Sequence, residues 1–202
     1  MASHPKHLSA EARRAVTVES VLELAAMQNP SEITTAAIAQ HMGVTQGALF
    51  RHFPSKEALW EAVMDWVAAR LLARVNAAID SHTHTLDALE AVFLAHCAFA
   101  AEHPGVPRML FGELQRAEDT AAKRVTRSLL ASYGKRLRQL IATGQQRGEL
   151  SSDISADAAA AMFIGAIQGL VMQTLLTGKP QHIRSAAPGV FALYRRCIRS
   201  QS

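Results

Sequence analysis

The sequence predicts an all-α protein, and three observations carry that prediction. From Ser9 onward apolar residues recur every three or four positions. No run shows sustained alternation of apolar and polar residues, so strands find no support. Gly, Pro and Asn cluster between long periodic stretches, where helices would end. The expected organisation is a three-helix head containing a helix-turn-helix over residues 1–56 and a larger helical body over residues 57–202.

Each element has a local reason. Ser9 can cap a first helix to about Met27, with Val18, Val21, Leu22 and Ala25 as its inward stripe, and Asn29–Pro30 ends it. Thr34 can cap a second helix whose Ile38 and Met42 share a face. A tight turn at Met42–Gly43–Val44 follows, and Thr45 can cap a third helix to about His52. Ser55 can cap the fourth, with Glu57 in its first turn favoured by the helix dipole. Leu59, Val63, Val67, Leu71, Val75 and Ile79 recur every fourth residue, so this helix is long.

A break at Thr83–Thr85 precedes a fifth helix carrying Leu86, Leu89, Phe93, His96, Cys97 and Ala100, which His103–Pro104–Gly105 stops. A short helix runs through Met109–Leu114. The next, about Thr120 to Gln146, points Val125, Leu129, Tyr133, Leu137 and Ile141 inward and Arg124, Arg127, Lys135, Arg136 and Arg138 largely outward. Gly148 ends it. Ser155 starts an Ala-rich helix that Gly178 and Pro180 close, and a last helix carries Val190, Phe191, Tyr194 and Ile198.

Composition sets the bounds. Half of the 202 residues are apolar and a fifth charged, which is ordinary for a soluble globular chain. The net charge of +4 permits a nucleic-acid partner without requiring one. Cys97 and Cys197 are too few and too distant to form a disulfide framework, so a reducing, cytoplasmic setting is expected. The N-terminus, MASHPKHLSAEARR, has no apolar run after its basic residues and does not read as a secretory signal. Ala158–Leu176 is nearly long enough to span a bilayer. It is rich in Ala rather than Leu, however, and Gln168 and Gln173 interrupt it without a flanking basic cluster. It reads as a subunit interface, and no membrane partner is expected.

The most informative stretch is Ile33–Leu59, ITTAAIAQHMGVTQGALFRHFPSKEAL. Ile38, Ala39, Val44, Leu49 and Phe53 form a miniature core, leaving Thr45, Gln46, Gly47, Ala48, Phe50 and Arg51 to face outward. Two short helices held by a Gly-containing turn can place the second in the DNA major groove. Gly47 and Ala48 would let backbone approach closely, and Gln46 can bond a base edge such as adenine. Thr34, Thr35, His52 and Lys56 sit near helix N-termini or flank the groove helix, where hydroxyls, amides and cations hold phosphates. From Ile33 to Lys56 there are two cations, Arg51 and Lys56, and no acid. The alternative, a helical hairpin inside an ordinary all-α domain, leaves that surface unexplained.

These residues, T-T-x-x-I-A-x-x-x-G-V-T-x-G-A-L-F-x-H-F-x-S-K-E-A-L, resemble the N-terminal domain of the TetR/AcrR family of bacterial transcriptional regulators. The resemblance covers Ile33–Leu59; the rest agrees in length and helix plan. It implies a helix-turn-helix DNA-binding domain joined to a C-terminal helical domain for effector binding and dimerisation. It further implies a cytoplasmic, Ω-shaped homodimer, usually a repressor released from a palindromic operator by a small-molecule effector. By the resemblance, base-facing positions fall on Gln46, Gly47 and Ala48, with Arg51 as a further contact. Phosphate-contacting positions fall on Thr35, Phe50, His52 and Lys56. Phe50 stands where the family often has Tyr, so a hydroxyl–phosphate bond is missing. Ala36 stands where some members carry a base-reading Arg.

In the body, Phe93, His96, Cys97, Met109, Phe111, Phe163 and Met172 are candidates to line an effector pocket, with Gln115 and Gln168 as polar handles. Periodicity cannot separate these from ordinary core. Ala161, Gly165 and Gly169 permit close helix approach, and Phe191, Tyr194 and Ile198 would add apolar area to a dimer interface. The resemblance implies a four-helix interface at these last two helices. No cofactor or metal is expected. His96, Cys97 and His103, or His82 and His84, could indicate a thiol or metal enzyme, but no acidic ligand or orienting residue stands at the needed spacing. A helical dimeric adaptor without operator binding is the other alternative.

Overall fold

The computed structural model describes residues 9–200, so Met1–Leu8, part of the stretch read above for a secretory signal, lies outside the described residues. Among the described residues the secondary structure is helical, apart from an isolated antiparallel bridge between Leu150 and Arg199. The helices are α1 (Ala10–Met27), a short 3-10 turn (Pro30–Glu32), α2 (Thr35–His41), α3 (Gln46–Phe50), α4 (Lys56–Asp80), α5 (Thr85–Glu102), α6 (Gly105–Leu114), α7 (Ala121–Gln146), α8 (Ala156–Thr177) and α9 (Gln181–Ile198).

The expected caps form. Ser9, Thr34, Thr45 and Ser155 each accept a backbone N–H from the first turn of the helix they precede, at 3.1, 3.1, 3.2 and 3.4 Å. Ser55 accepts from Ala58 N at 3.2 Å. Each satisfies a donor that the helix itself cannot. α3 stops at Phe50, earlier than the expected His52; the chain then turns, with His52 N and Phe53 N both donating to Leu49 O, and Phe53 is buried at 1% exposed. Pro188 lies inside α9, where it removes a helical N–H donor; the helix continues through it with Pro188 exposed.

The chain packs as two compact units. Of the described residues the first comprises 9–67 and 103–126, so it takes in α1–α3, the start of α4, and α6. Its core is Val18, Val21, Ala25, Ile33, Ile38, Leu49, Phe53, Leu59 and Val63, all buried. α6 crosses α1 so closely that a Cβ on Gly105 would fall 2.1 Å from the carbonyl oxygen of Leu22. Only glycine fits there.

Of the described residues the second unit comprises 68–102 and 127–200. Its centre is an aromatic cluster. Phe93 meets Phe163 edge-on at 5.2 Å and Phe191 at 5.5 Å, and Phe163 meets Tyr194 edge-on at 5.4 Å. The Tyr194 hydroxyl, buried with its ring, donates to Ala159 O at 3.1 Å and so fastens α9 to α8. Burial holds its pKa above the ordinary tyrosine value. The end of α9 is pinned by Ser151 N donating to Ile198 O at 3.0 Å.

Candidate nucleic-acid interface and the candidate sites of the body

α2 and α3 are joined at Met42–Val44, where Gly43 adopts φ +67°, a backbone conformation that suits glycine. Ile38, Ala39, Met42 and Leu49 are buried beneath the turn, and Val44 is half-buried. The opposite surface carries Thr45, Gln46, Gly47, Phe50 and Arg51, all exposed, with Ala48 half-buried. Phe50 is 44% exposed, unusual for a phenylalanine that serves only its own fold. Gln46 Nε2 donates to Thr35 Oγ1 at 3.3 Å, which brings a base-reading candidate beside a phosphate-contacting one. Arg51 has no ion-pair partner among the described residues.

Two ties hold this surface. Arg14 of α1 donates through NH1 to His52 O at 2.6 Å while its guanidinium lies 4.4 Å from the centre of the Phe53 ring. Lys56 donates to Ser31 O at 3.3 Å with its ammonium 4.8 Å from the centre of the Trp60 ring. Burial there draws its pKa below the ordinary lysine value. Arg14 is not signalled by the motif, since it acts through a contact 38 positions away in sequence. Trp60 lies one turn after Lys56 on α4, just past the motif's end at Leu59.

The residues expected to line an effector pocket are divided between the two units. Met109, Phe111 and Gln115 belong to the first unit, where Met109 is buried, Phe111 half-buried and Gln115 exposed. Phe93, Cys97 and Phe163 are buried in the second unit, packed as core. His96 Nδ1 and the Tyr133 hydroxyl share a hydrogen bond at 3.3 Å, and burial pushes the His96 pKa down to about 4, which keeps the imidazole neutral. Burial pushes the Cys97 thiol up to about 12, the reverse of an activated nucleophile. Gln168 and Met172 lie on the exposed side of α8. A cleft of about 400 Å³ instead opens between the end of α4, the start of α5 and α7, lined by residues including Asn76, Ile79, Ala88, Arg136, Leu140 and Arg147.

The interface candidates also divide. Ala161, Gly165 and Gly169 are exposed on α8 as expected. Phe191, Tyr194 and Ile198 are corrected: each is 3% exposed or less, because their rings and branches fill the protomer's own core. The open side of α9 carries Pro188, Gly189, Ala192 and Leu193 instead. With Met162, Met172 and Leu176 of α8, these form an apolar face on which Leu176 is 80% and Leu193 62% exposed. α8 is long and apolar enough to cross a membrane by length and composition, yet one side of it packs on α5 and α9.

Comparison with known proteins fits this geometry. The family described as "Bacterial regulatory proteins, tetR family" matches residues 18–63, and "Tetracyclin repressor-like, C-terminal domain" matches residues 110–190. The nucleoid occlusion factor SlmA of Vibrio cholerae is 30% identical over 158 residues, 78% of this chain and 81% of the relative. Among solved structures, the ketosteroid transcriptional regulator KstR2 of Mycobacterium tuberculosis is similar with a TM-score of 0.77 at 19% identity, covering 99% of both chains. The transcriptional regulator FadR of Bacillus subtilis in complex with stearoyl-CoA is similar with a TM-score of 0.77 at 18% identity, over 88% of this chain and 95% of that one. The sequence relationship and the match at both ends of the chain agree with the capped α2–α3 surface: this protein belongs to the TetR family of bacterial regulatory proteins, which are DNA-binding regulators of transcription and not enzymes.

Proposed function

We propose that the protein is a homodimeric repressor that holds a palindromic operator through paired α3 helices and leaves it when a small molecule occupies the body. That it binds DNA sequence-specifically, in the bacterial cytoplasm, follows from its family. The finer reading rests chiefly on one observation. α3, capped by Thr45, presents Gln46 and Gly47 to solvent with Arg51 exposed just past its end, in a stretch with no acid from Ile33 to Lys56. Gly47 supports this: a Cβ there would meet only Thr45 Oγ1, at 3.9 Å, so the fold does not require glycine. Close approach to a groove does.

On this reading Gln46, Gly47, Ala48 and Arg51 face bases, while Thr34, Thr35, Thr45, Phe50, His52 and Lys56 hold or pack against the backbone. Residues 1–56 contact DNA and residues 57–202 bind effector and dimerise, a division by role distinct from the packing units. The open α8–α9 face, including Ala161, Gly165 and Gly169, is the dimer contact, with Leu193 in place of the inward Phe191. The FadR relative was solved with stearoyl-CoA, which favours a ligand-responsive body here too.

Gel-shift with DNA flanking the protein's own gene tests the operator reading: a salt-sensitive, sequence-selective band is expected, and its absence would favour a dimeric adaptor. The SlmA relative, named for nucleoid occlusion, favours a second reading in which many chromosomal sites are occupied. Chromatin immunoprecipitation separates the two: few sites beside genes support the repressor, whereas many scattered sites support occlusion.

A further inference from the structure

The cleft of about 400 Å³ in the second unit holds a half-buried cation, Arg136, that has no ion-pair partner among the described residues. Arg136 of α7 donates through Nε to Asn76 Oδ1 at 2.7 Å and through NH1 to Ser132 O at 3.3 Å. These two bonds fix the guanidinium plane and use two of its five N–H groups. No carboxylate lies within ion-pair distance of it among the described residues. Arg147, on the same cleft, differs. It donates to Thr83 O at 3.0 Å and lies 3.9 Å from Glu149 Oε1. Glu149 in turn accepts from Thr85 N at 2.5 Å, so an internal carboxylate already occupies the start of α5.

A charge withdrawn from water is normally paired. The cleft is within the size range of small-molecule sites, and Ile79, Ala88 and Leu140 supply an apolar wall. We propose that it binds a small monocarboxylate with an apolar tail, the carboxylate forked onto Arg136 and the tail against Ile79 and Leu140. A guanidinium matches a carboxylate by two parallel hydrogen bonds. Arg136 is the cleft cation without a direct ion pair, which suits a single carboxylate forked onto it. The carboxylates of Asp80 on the lining and Glu149 beside Arg147 disfavour a dianion such as phosphate. The assignment rests on reading the body as ligand-responsive, and it locates the responsive site away from the aromatic core.

Isothermal titration of the full-length protein with hexanoate, octanoate, 1-octanol and inorganic phosphate tests it. Octanoate should bind saturably, hexanoate more weakly, and 1-octanol and phosphate not measurably. Arg136→Gln should weaken octanoate roughly tenfold or more, as loss of a charge-assisted pair implies. Leu140→Trp, which fills the cleft, should abolish binding while leaving a folded protein. No binding of either carboxylate, phosphate binding as tight as octanoate, or octanoate affinity unchanged by Arg136→Gln would each overturn the proposal. Operator binding is measured separately by gel-shift. A retained DNA band without octanoate binding refutes only this site, and octanoate binding without a DNA band refutes only the operator reading.

Discussion

The α2–α3 surface and the open α8–α9 face are built on opposite principles, yet both place glycine where the protomer has no need of it. The first is two short helices of 7 and 5 residues, held by side-chain caps and a glycine turn, and it presents amide, hydroxyl and guanidinium groups. The second is two long helices of 22 and 18 residues that present Met162, Leu176, Leu193 and a line of small residues. Gly47 on one, and Gly165 and Gly169 on the other, would meet little or nothing if they carried a Cβ. Glycine within a helix costs about 1 kcal/mol relative to alanine. A residue that weakens its own helix without internal need points to something outside it. At α3 the polar surroundings fit a nucleic-acid groove; at α8 the apolar surroundings fit another helix.

The largest effect should come from breaking the apolar face. Gly165→Arg with Gly169→Arg places two charges on it without disturbing the protomer, since the space around both glycines is open. We expect a monomer by sedimentation and operator affinity lowered on the order of 100-fold or more, because a half-site alone lacks the second set of contacts. Unchanged dimerisation would move the interface elsewhere. On the polar surface, Gln46→Ala should cost about 1–3 kcal/mol at one base position and relax preference there, read from binding to a set of single-base operator variants. An equal loss on every sequence would make Gln46 a backbone contact, through its neighbour Thr35.

Smaller effects refine the contrast. Thr45→Ala removes the α3 cap and should lower stability by about 0.5–2 kcal/mol in urea unfolding, with DNA affinity reduced as α3 frays. The long α8 should tolerate loss of its own Ser155 cap better in proportion, since packing supports most of it. Lys56→Ala should weaken all DNA sequences alike and flatten the salt dependence by about one contact, measured as the slope of affinity against salt. Its bond to Ser31 O and its seat on Trp60 add a small stability loss that a pure phosphate contact would not show.

The contrast also explains what the sequence could and could not disclose. The head is legible because its determinants are local: Thr34, Thr45 and Ser55 each cap a helix three residues on, and Gly43 fixes the turn. The face of α9 was not, because Phe191, Tyr194 and Leu193 are all apolar and periodicity cannot say which side meets the core. The structure turns Phe191 and Tyr194 inward and Leu193 outward. Pro188 disguised the helix further, since proline in a helix interior normally argues for a break. The cleft was invisible for another reason. Arg136 carries a charge and reads as a solvent residue, and only the fold brings it to Asn76, 60 positions away.

The central claim, that paired α3 helices read a two-fold operator, is tested most directly by footprinting the protein on the DNA flanking its gene. The account predicts two protected half-sites about one helical turn apart, roughly 34 Å between centres, that disappear together in the Gly165→Arg, Gly169→Arg protein. A single protected site that survives disruption of the dimer, or uniform protection without sequence preference, would contradict it.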